Sequence, residues 1–237
     1  TTGQSPINLD DRIVRKRRYP PLVLNGHWLN DGEARLLNTG TTAKIWLTGN
    51  RIPSTICGGP LSDDIYELMD VHFHWGEDNC KGAEHTINDT WYSMESHVVH
   101  WNRKYVTVEE CFRHKDGFCI LAYLFLVRNF NVEIIFVSDF SFCIFFYWKY
   151  YTYAGSYNIG EYAECVTWIV FPVVIPIRAS EVKFRRLRDR DGNDIKTNWR
   201  EIQLLKFNFK SQSLSVYLFL LHSGKIYEET VNRCYFY

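Results

Sequence analysis

The residues best suited to chemistry are three histidines. Val71-His72-Phe73-His74-Trp75-Gly76 carries two of them, and Glu95-Ser96-His97-Val98-Val99-His100 carries the third. In an extended strand successive side chains point to opposite faces, so His72 and His74 share a face about 6.6 Å apart at a ~3.3 Å rise, and Phe73 faces away. On the second stretch Glu95, His97 and Val99 fall on one face, and Ser96, Val98 and His100 on the other. If the two strands are neighbours, His97 completes a face of three imidazoles. Three nitrogen ligands at about 2.0 Å leave zinc's fourth tetrahedral position to water, which is the arrangement of a catalytic rather than a structural site. The alternative is a hydrogen-bonded interior, since a lone His-x-His in a strand is more often that than a ligand pair. A third strand histidine, with an acid two residues before it, moves the balance toward metal.

The rest of the chain sets limits on what positions these groups. Its 237 residues suit one large domain or two small ones, and 46% hydrophobic with 16% aromatic residues is enough for a sizeable core. Twenty-seven basic and 27 acidic residues cancel, so nothing asks for nucleic acid or an anionic membrane surface. The seven cysteines (57, 80, 111, 119, 143, 165 and 234) include no C-x-x-C pair, and their odd number leaves at least one free thiol in a monomer. The opening Thr1-Thr2-Gly3-Gln4-Ser5-Pro6 has no basic-then-apolar leader.

Residues 1–35 read as loops and short strands punctuated by Pro6, Pro20, Pro21, Asn25-Gly26 and Asp31-Gly32. A strand is expected over Ala43 to Leu47 and a buried one within Gly117 to Val127, an apolar run too short for the ~20 residues of a spanning helix. A connection from Gly76 to Ser93 holds Glu84 and His85, and a short helix capped by Ser180 is expected to Leu187. Asn88-Asp89-Thr90 is formally a glycosylation sequon. Phe136 to Trp148 is dense in aromatics, although Glu133 and Asp139 argue against a bilayer helix there. No membrane span is expected. Leu214 to Leu221 is apolar but brief.

His72-Phe73-His74-Trp75-Gly76, then Gly82-Ala83-Glu84-His85-Thr86-Ile87-Asn88, then Glu95-Ser96-His97-Val98-Val99-His100-Trp101-Asn102 resembles the motif run of the α-class carbonic anhydrases, in order and spacing. The resemblance resumes at Tyr151-Thr152-Tyr153-Ala154-Gly155-Ser156 and runs through Glu164-Cys165-Val166-Thr167-Trp168 to Asn198-Trp199-Arg200. It implies a mainly β protein with short helices (α+β): a single domain over residues 1–205 on a large twisted, mostly antiparallel sheet with the metal on the floor of a cleft. Residues 128–150 are divergent and 206–237 an unassigned tail. Leu36 to Gly40 resembles a family turn that begins the strand at Ala43. The secreted members' disulfide is not expected, because Tyr162 and Ala163 occupy one of its positions. This leaves a cytoplasmic monomer as the expectation, with an incomplete N-terminus.

The resemblance also implies roles. His72, His74 and His97 become ligands of Zn2+, and the substrate a small molecule, carbon dioxide or bicarbonate, interconverted by hydration. Carbonic anhydrase is the standard example of zinc lowering the pKa of bound water to about 7, a general value rather than one obtained for this chain. Asp70, Glu95 and the Asn198 carbonyl would orient the ligands, Asp70 also making its imidazole more basic. Glu84 would accept a hydrogen bond from a relay threonine; the alternative is a buried acid paired with His85 or a backbone amide. Val99, Ile120, Tyr157, Val166 and Trp168 would line the substrate pocket, narrowed by Tyr157 and Ile120.

Two departures stand out. The family's Gly-Ser-Leu-Thr-Thr-Pro-Pro loop appears as Gly155-Ser156-Tyr157-Asn158-Ile159-Gly160-Glu161, so Asn158 stands at the relay threonine and Ile159 at the next one. Thr41 falls at the position of a proton-shuttling histidine and cannot titrate near neutrality. Surface positions are expected for His27 and His114. Three readings therefore compete: a zinc carbonate dehydratase of modest turnover, a non-catalytic zinc-holding relative, and a truncated or mispredicted product that does not fold stably.

Overall fold

The computed structural model describes residues 3–128, 149–179, 182–204 and 215–216. The aromatic stretch Phe136 to Trp148, most of Leu214 to Leu221, Cys143, Cys234 and Ser180 lie outside the described residues. The strands run β1 (Asn8–Leu9), β2 (Arg15–Lys16), β3 (Leu22–Asn25), β4 (Glu33–Asn38), β5 (Ala43–Thr48), β6 (Thr55–Gly58) and β7 (Tyr66–Trp75). They continue with β8 (Thr86–Ile87), β9 (Met94–Asn102), β10 (Phe118–Val127), β11 (Tyr151–Gly155), β12 (Val166–Ile177) and β13 (Ser215–Val216).

The 11-stranded sheet has the order β2-β13-β11-β12-β10-β9-β7-β5-β4, with β6 joining β7 to β3. Most neighbours are antiparallel. The exceptions in this sheet are β10 with β12 and β13 with β2, so the sheet is mixed at its centre. β10 reads FCILAYLFLV because it lies between β9 and β12 and is covered on both faces. One core holds Val99, Phe118, Ile120, Val166 and Trp168, and the other holds Val98, Cys119, Leu121 and Ile169. These adjacent residues separate onto opposite faces as a period of two requires.

Three local expectations change. Leu36, Leu37 and Asn38 belong to strand β4, and the turn before Ala43 is Thr39 to Thr42, closed by Thr39 N donating to Thr42 O at 3.0 Å. The connection from Gly76 to Ser93 contains β8, which pairs with β1 in parallel. The expected helix near Leu187 is a single 3-10 turn, Lys183–Arg186, without a side-chain cap. A four-residue helix, α1 (Val108–Cys111), is capped instead by Thr107, whose hydroxyl accepts from Glu110 N at 3.2 Å. Among the described residues Cys80, Cys111, Cys119 and Cys165 are free thiols. No helix among the described residues is long and apolar enough to cross a membrane.

His27 is not the surface histidine expected: its Nε2 lies 2.9 Å from Nε2 of fully buried His100. Each ring turns Nδ1 to a carbonyl, His27 to Asn25 and His100 to Val98, both at 3.1 Å. Neutral rings donating to both carbonyls would face each other with two lone pairs, so one must carry its hydrogen on Nε2. Burial pushes His27 down to about 4, against a carbonyl contact that favours the charged form, and Arg51 disfavours it further; burial also holds His100 well below the usual histidine value. The unfolded chain therefore binds more protons between roughly pH 6.5 and 4, and stability falls with pH across that window. We expect the melting temperature to drop between pH 7 and 4.5 by less in His27→Gln than in the wild type. Parallel curves would assign the loss to other groups.

Candidate metal centre

The centre is built where β7, β9 and β10 meet. The β7–β9 register sets His72 opposite His97 and His74 opposite Glu95, and β10 sets Ala122 opposite His97. A small residue at 122 leaves room beside the His97 ring. The three rings lie 4.6 to 5.2 Å apart, and one nitrogen from each falls within 4.8 Å of the others. Gly76 and Gly82 let the chain return close beneath β7 with Glu84, because a Cβ on Gly76 would overlap the Lys81 carbonyl and one on Gly82 the Ser93 carbonyl.

Each ring has a separate oxygen partner. His72 Nδ1 donates to Asp70 Oδ1 at 2.9 Å, His74 Nδ1 to the Asn198 carbonyl at 3.0 Å, and His97 Nε2 to Glu95 Oε1 at 2.7 Å. These bonds place the remaining lone pairs on His72 Nε2, His74 Nε2 and His97 Nδ1, the donor set of a cation site. His72 Nε2 is buried and has no hydrogen-bond partner. An unpaired buried nitrogen is costly in an apo core, and a metal ion would satisfy it, so these residues fit zinc.

Burial lowers the pKa of His72 and outweighs the opposing effect of Asp70; the net change is toward lower, not higher, basicity. Burial also lowers His97, with the neighbouring His74 adding to it. Asp70 stays ionised despite burial because His72 and Lys44 stabilise its charge, Lys44 Nζ donating at 3.1 Å. For Glu95, burial is outweighed by His85 and His97, which hold its pKa well below the usual range. Its Oε2 accepts from the backbones of Glu84 and His85 at 2.8 and 2.7 Å, while Oε1 also accepts from His85 Nδ1 at 2.6 Å.

Glu84 does not pair with His85. Its Oε1 accepts from Arg200 N at 2.9 Å and its Oε2 from Asn158 Nδ2 at 2.7 Å, and burial raises its pKa. His85 joins the centre unforeseen, with Nε2 2.7 Å from the Tyr153 hydroxyl, which donates to Ser5 Oγ at 3.0 Å. Ser5 and Ser156 exchange backbone–hydroxyl bonds at 3.0 Å, so the N-terminal segment pins the loop carrying Asn158. A sequence signal existed in the Ser5-Pro6 and Gly155-Ser156 motifs, but their pairing is non-local.

The expected pocket residues form one apolar wall. Val99, Ile120, Val166 and Trp168 are fully buried; Tyr157 is 6% exposed, its ring 5.3 Å from Phe112 and 5.2 Å from Phe118. The Trp168 ring lies 4.8 Å from His97, so this wall borders the three histidines. Thr41 is exposed in the β4–β5 turn, and its carbonyl accepts from Asn198 Nδ2 at 3.1 Å. Ile159 is 39% exposed beyond Asn158.

Three converging imidazoles on a large mixed sheet form a group that could hold a metal ion. The sequence matches the family model of eukaryotic-type carbonic anhydrase over residues 1–141 and 135–208. It is 28% identical to carbonic anhydrase 3 of Homo sapiens over 225 residues, 85% of each chain. It is 30% identical to carbonic anhydrase 3 of Equus caballus over 228 residues, 86% of each. It is also 30% identical to the carbonic anhydrase-related protein of Homo sapiens over 212 residues, 78% of this chain and 71% of that one. The chain belongs to the eukaryotic-type carbonic anhydrase family.

Proposed function

We propose that the chain holds one zinc ion on His72, His74 and His97 and interconverts carbon dioxide and water with bicarbonate and a proton, at modest turnover. The observation that carries this reading is the convergence of three imidazoles, each oriented by an oxygen partner: Asp70, the Asn198 carbonyl and Glu95. Zinc held there would act as a Lewis acid that makes hydroxide available from water near neutral pH. The protein's own groups do the rest. Asp70 and Glu95 keep the ligating lone pairs directed inward, and the buried apolar wall of Val99, Ile120, Val166 and Trp168 adjoins the histidines on the side where a small, linear, apolar substrate would sit. Tyr157 tightens that wall. Thr41 cannot take up the released proton, so turnover depends on buffer or on another group of the protein.

Asn158 supports a second reading, a zinc-holding protein without catalysis, because its amide stands among the ligands where the relay hydroxyl was expected. Stopped-flow hydration with zinc content measured on the same sample separates the two. The proposal expects zinc near one per chain and hydration that is faster than in His97→Ala. Stoichiometric zinc with hydration no faster than that variant would sink it.

A further inference from the structure

The Asn158 side chain touches the metal centre at several points. Its Nδ2 lies 3.0 Å from His74 Nε2, 3.2 Å from His97 Nδ1 and 2.7 Å from Glu84 Oε2. The residue is 5% exposed, and its Oδ1 is buried without a hydrogen-bond partner. Both histidine nitrogens are the ones left unprotonated by the bonds to Asn198 and Glu95. An amide nitrogen carries two hydrogens. One goes to Glu84, and the second is shared between the lone pairs of His74 and His97.

The distances decide what this means for a metal. A hydrogen bond of 3.0 Å puts its hydrogen about 2 Å from the accepting nitrogen, which is where zinc would lie. The nitrogen itself, 3.0 and 3.2 Å from two ligand atoms, is close to the ~3.3 Å edge of a tetrahedron with 2.0 Å bonds, the seat of a fourth ligand. An amide nitrogen has no lone pair to offer a cation, so it can occupy that seat but cannot serve in it. The orphaned Oδ1 has no such bond to give up when the side chain turns.

We propose that Asn158 is an internal competitor for the metal: its amide hydrogen occupies the ion's position, and zinc enters only when this side chain moves off His74 and His97. This rests on the three-histidine site of the proposed function. It deepens that reading by making metal affinity, rather than only the reaction, depend on residue 158. Glu84 holds the competitor in place, which gives the buried acid a role in the metal-free chain as well.

The test is the zinc dissociation constant of the full chain by competition with a chromophoric chelator, for the wild type, Asn158→Ala, Asn158→Thr and the ligand-deficient His72→Ala. Asn158→Ala is expected to bind zinc about ten-fold more tightly, the weight of one neutral hydrogen bond no longer broken on entry. Asn158→Thr, which keeps a donor for Glu84, should change in the same direction. In the wild type the Asn158 side-chain amide resonances should shift on zinc titration. Affinities equal within two-fold, or looser binding in both Asn158 variants, would overturn the proposal, as would amide resonances that do not respond. Tighter zinc without hydration in any variant would leave this inference standing and remove the catalytic reading. Unchanged affinity with hydration in the wild type would do the reverse.

Discussion

Asn158→Thr combined with Ile159→Thr should raise the rate of carbon dioxide hydration by about 10²-fold at saturating zinc. The argument rests on what each atom can donate and accept. Asn158 Nδ2 gives a hydrogen to Glu84 Oε2 at 2.7 Å but has nothing with which to accept one. A threonine hydroxyl donates to the same carboxylate and keeps lone pairs for an incoming O–H, so one atom receives a proton donor while anchored to Glu84. The amide separates the two tasks. Its acceptor, Oδ1, is buried and unpartnered, about 2.2 Å from the anchored nitrogen by amide geometry. Ile159, 39% exposed, adds an apolar side chain where a second hydroxyl would stand. The measurement is kcat/KM with zinc saturation verified for each sample. A double variant no faster than the parent would show that the loop is not what limits the reaction, and would point to the closed wall around Tyr157 instead.

The three candidate ligands were legible because they obey a local rule. His72 and His74 share a face by the period of two, and a third histidine on a neighbouring strand needs only the right register, which β7 and β9 supply by setting His72 opposite His97. Asn158 was also reachable, by counting back from Glu164-Cys165, but the counting said nothing of its closeness to two ligands. The residues that escaped are those joined across the sheet. His85 links Glu95 to Tyr153 and so to Ser5, with His85 and Tyr153 68 positions apart in the chain. Lys44 reaches Asp70 because β5 pairs with β7. No spacing rule reports such contacts. The same cause explains His27, expected at the surface and found against His100 because β3 reaches β7 and β9 through β6. The turn expected over Leu36 to Gly40 lies at Thr39 to Thr42, because apolar residues on an exposed edge strand give no alternation to read.

The largest loss of stability is expected from Glu95→Ala. Glu95 has no exposed surface, and its two oxygens accept four donors: the backbones of Glu84 and His85, His85 Nδ1 and His97 Nε2. Truncation leaves all four without an acceptor in a dry interior and opens a cavity beside them. The expected cost is about 3–5 kcal/mol, that of breaking a buried charged network from one side. His97 also loses the bond that fixes its tautomer, so zinc should bind about 10- to 100-fold more weakly. Glu95→Gln retains the volume and one acceptor oxygen, but its NH2 faces donors, and it should fall between the two. The acid limb supplies an independent check. Because the Glu95 pKa is held below its unfolded value, its stabilisation is present above about pH 4.3 and is lost as pH falls further. The wild type should therefore lose stability in two stages, the upper one from the buried histidines His27, His72, His97 and His100 and the lower one from carboxylates such as Glu95, while Glu95→Ala should show a shallower lower stage. Chemical denaturation of the metal-free protein, with zinc affinity measured separately, distinguishes structural from ligand-orienting contributions. Wild-type stability in Glu95→Ala would mean that these four donors find other partners, and the account of how His97 is held would fail with it.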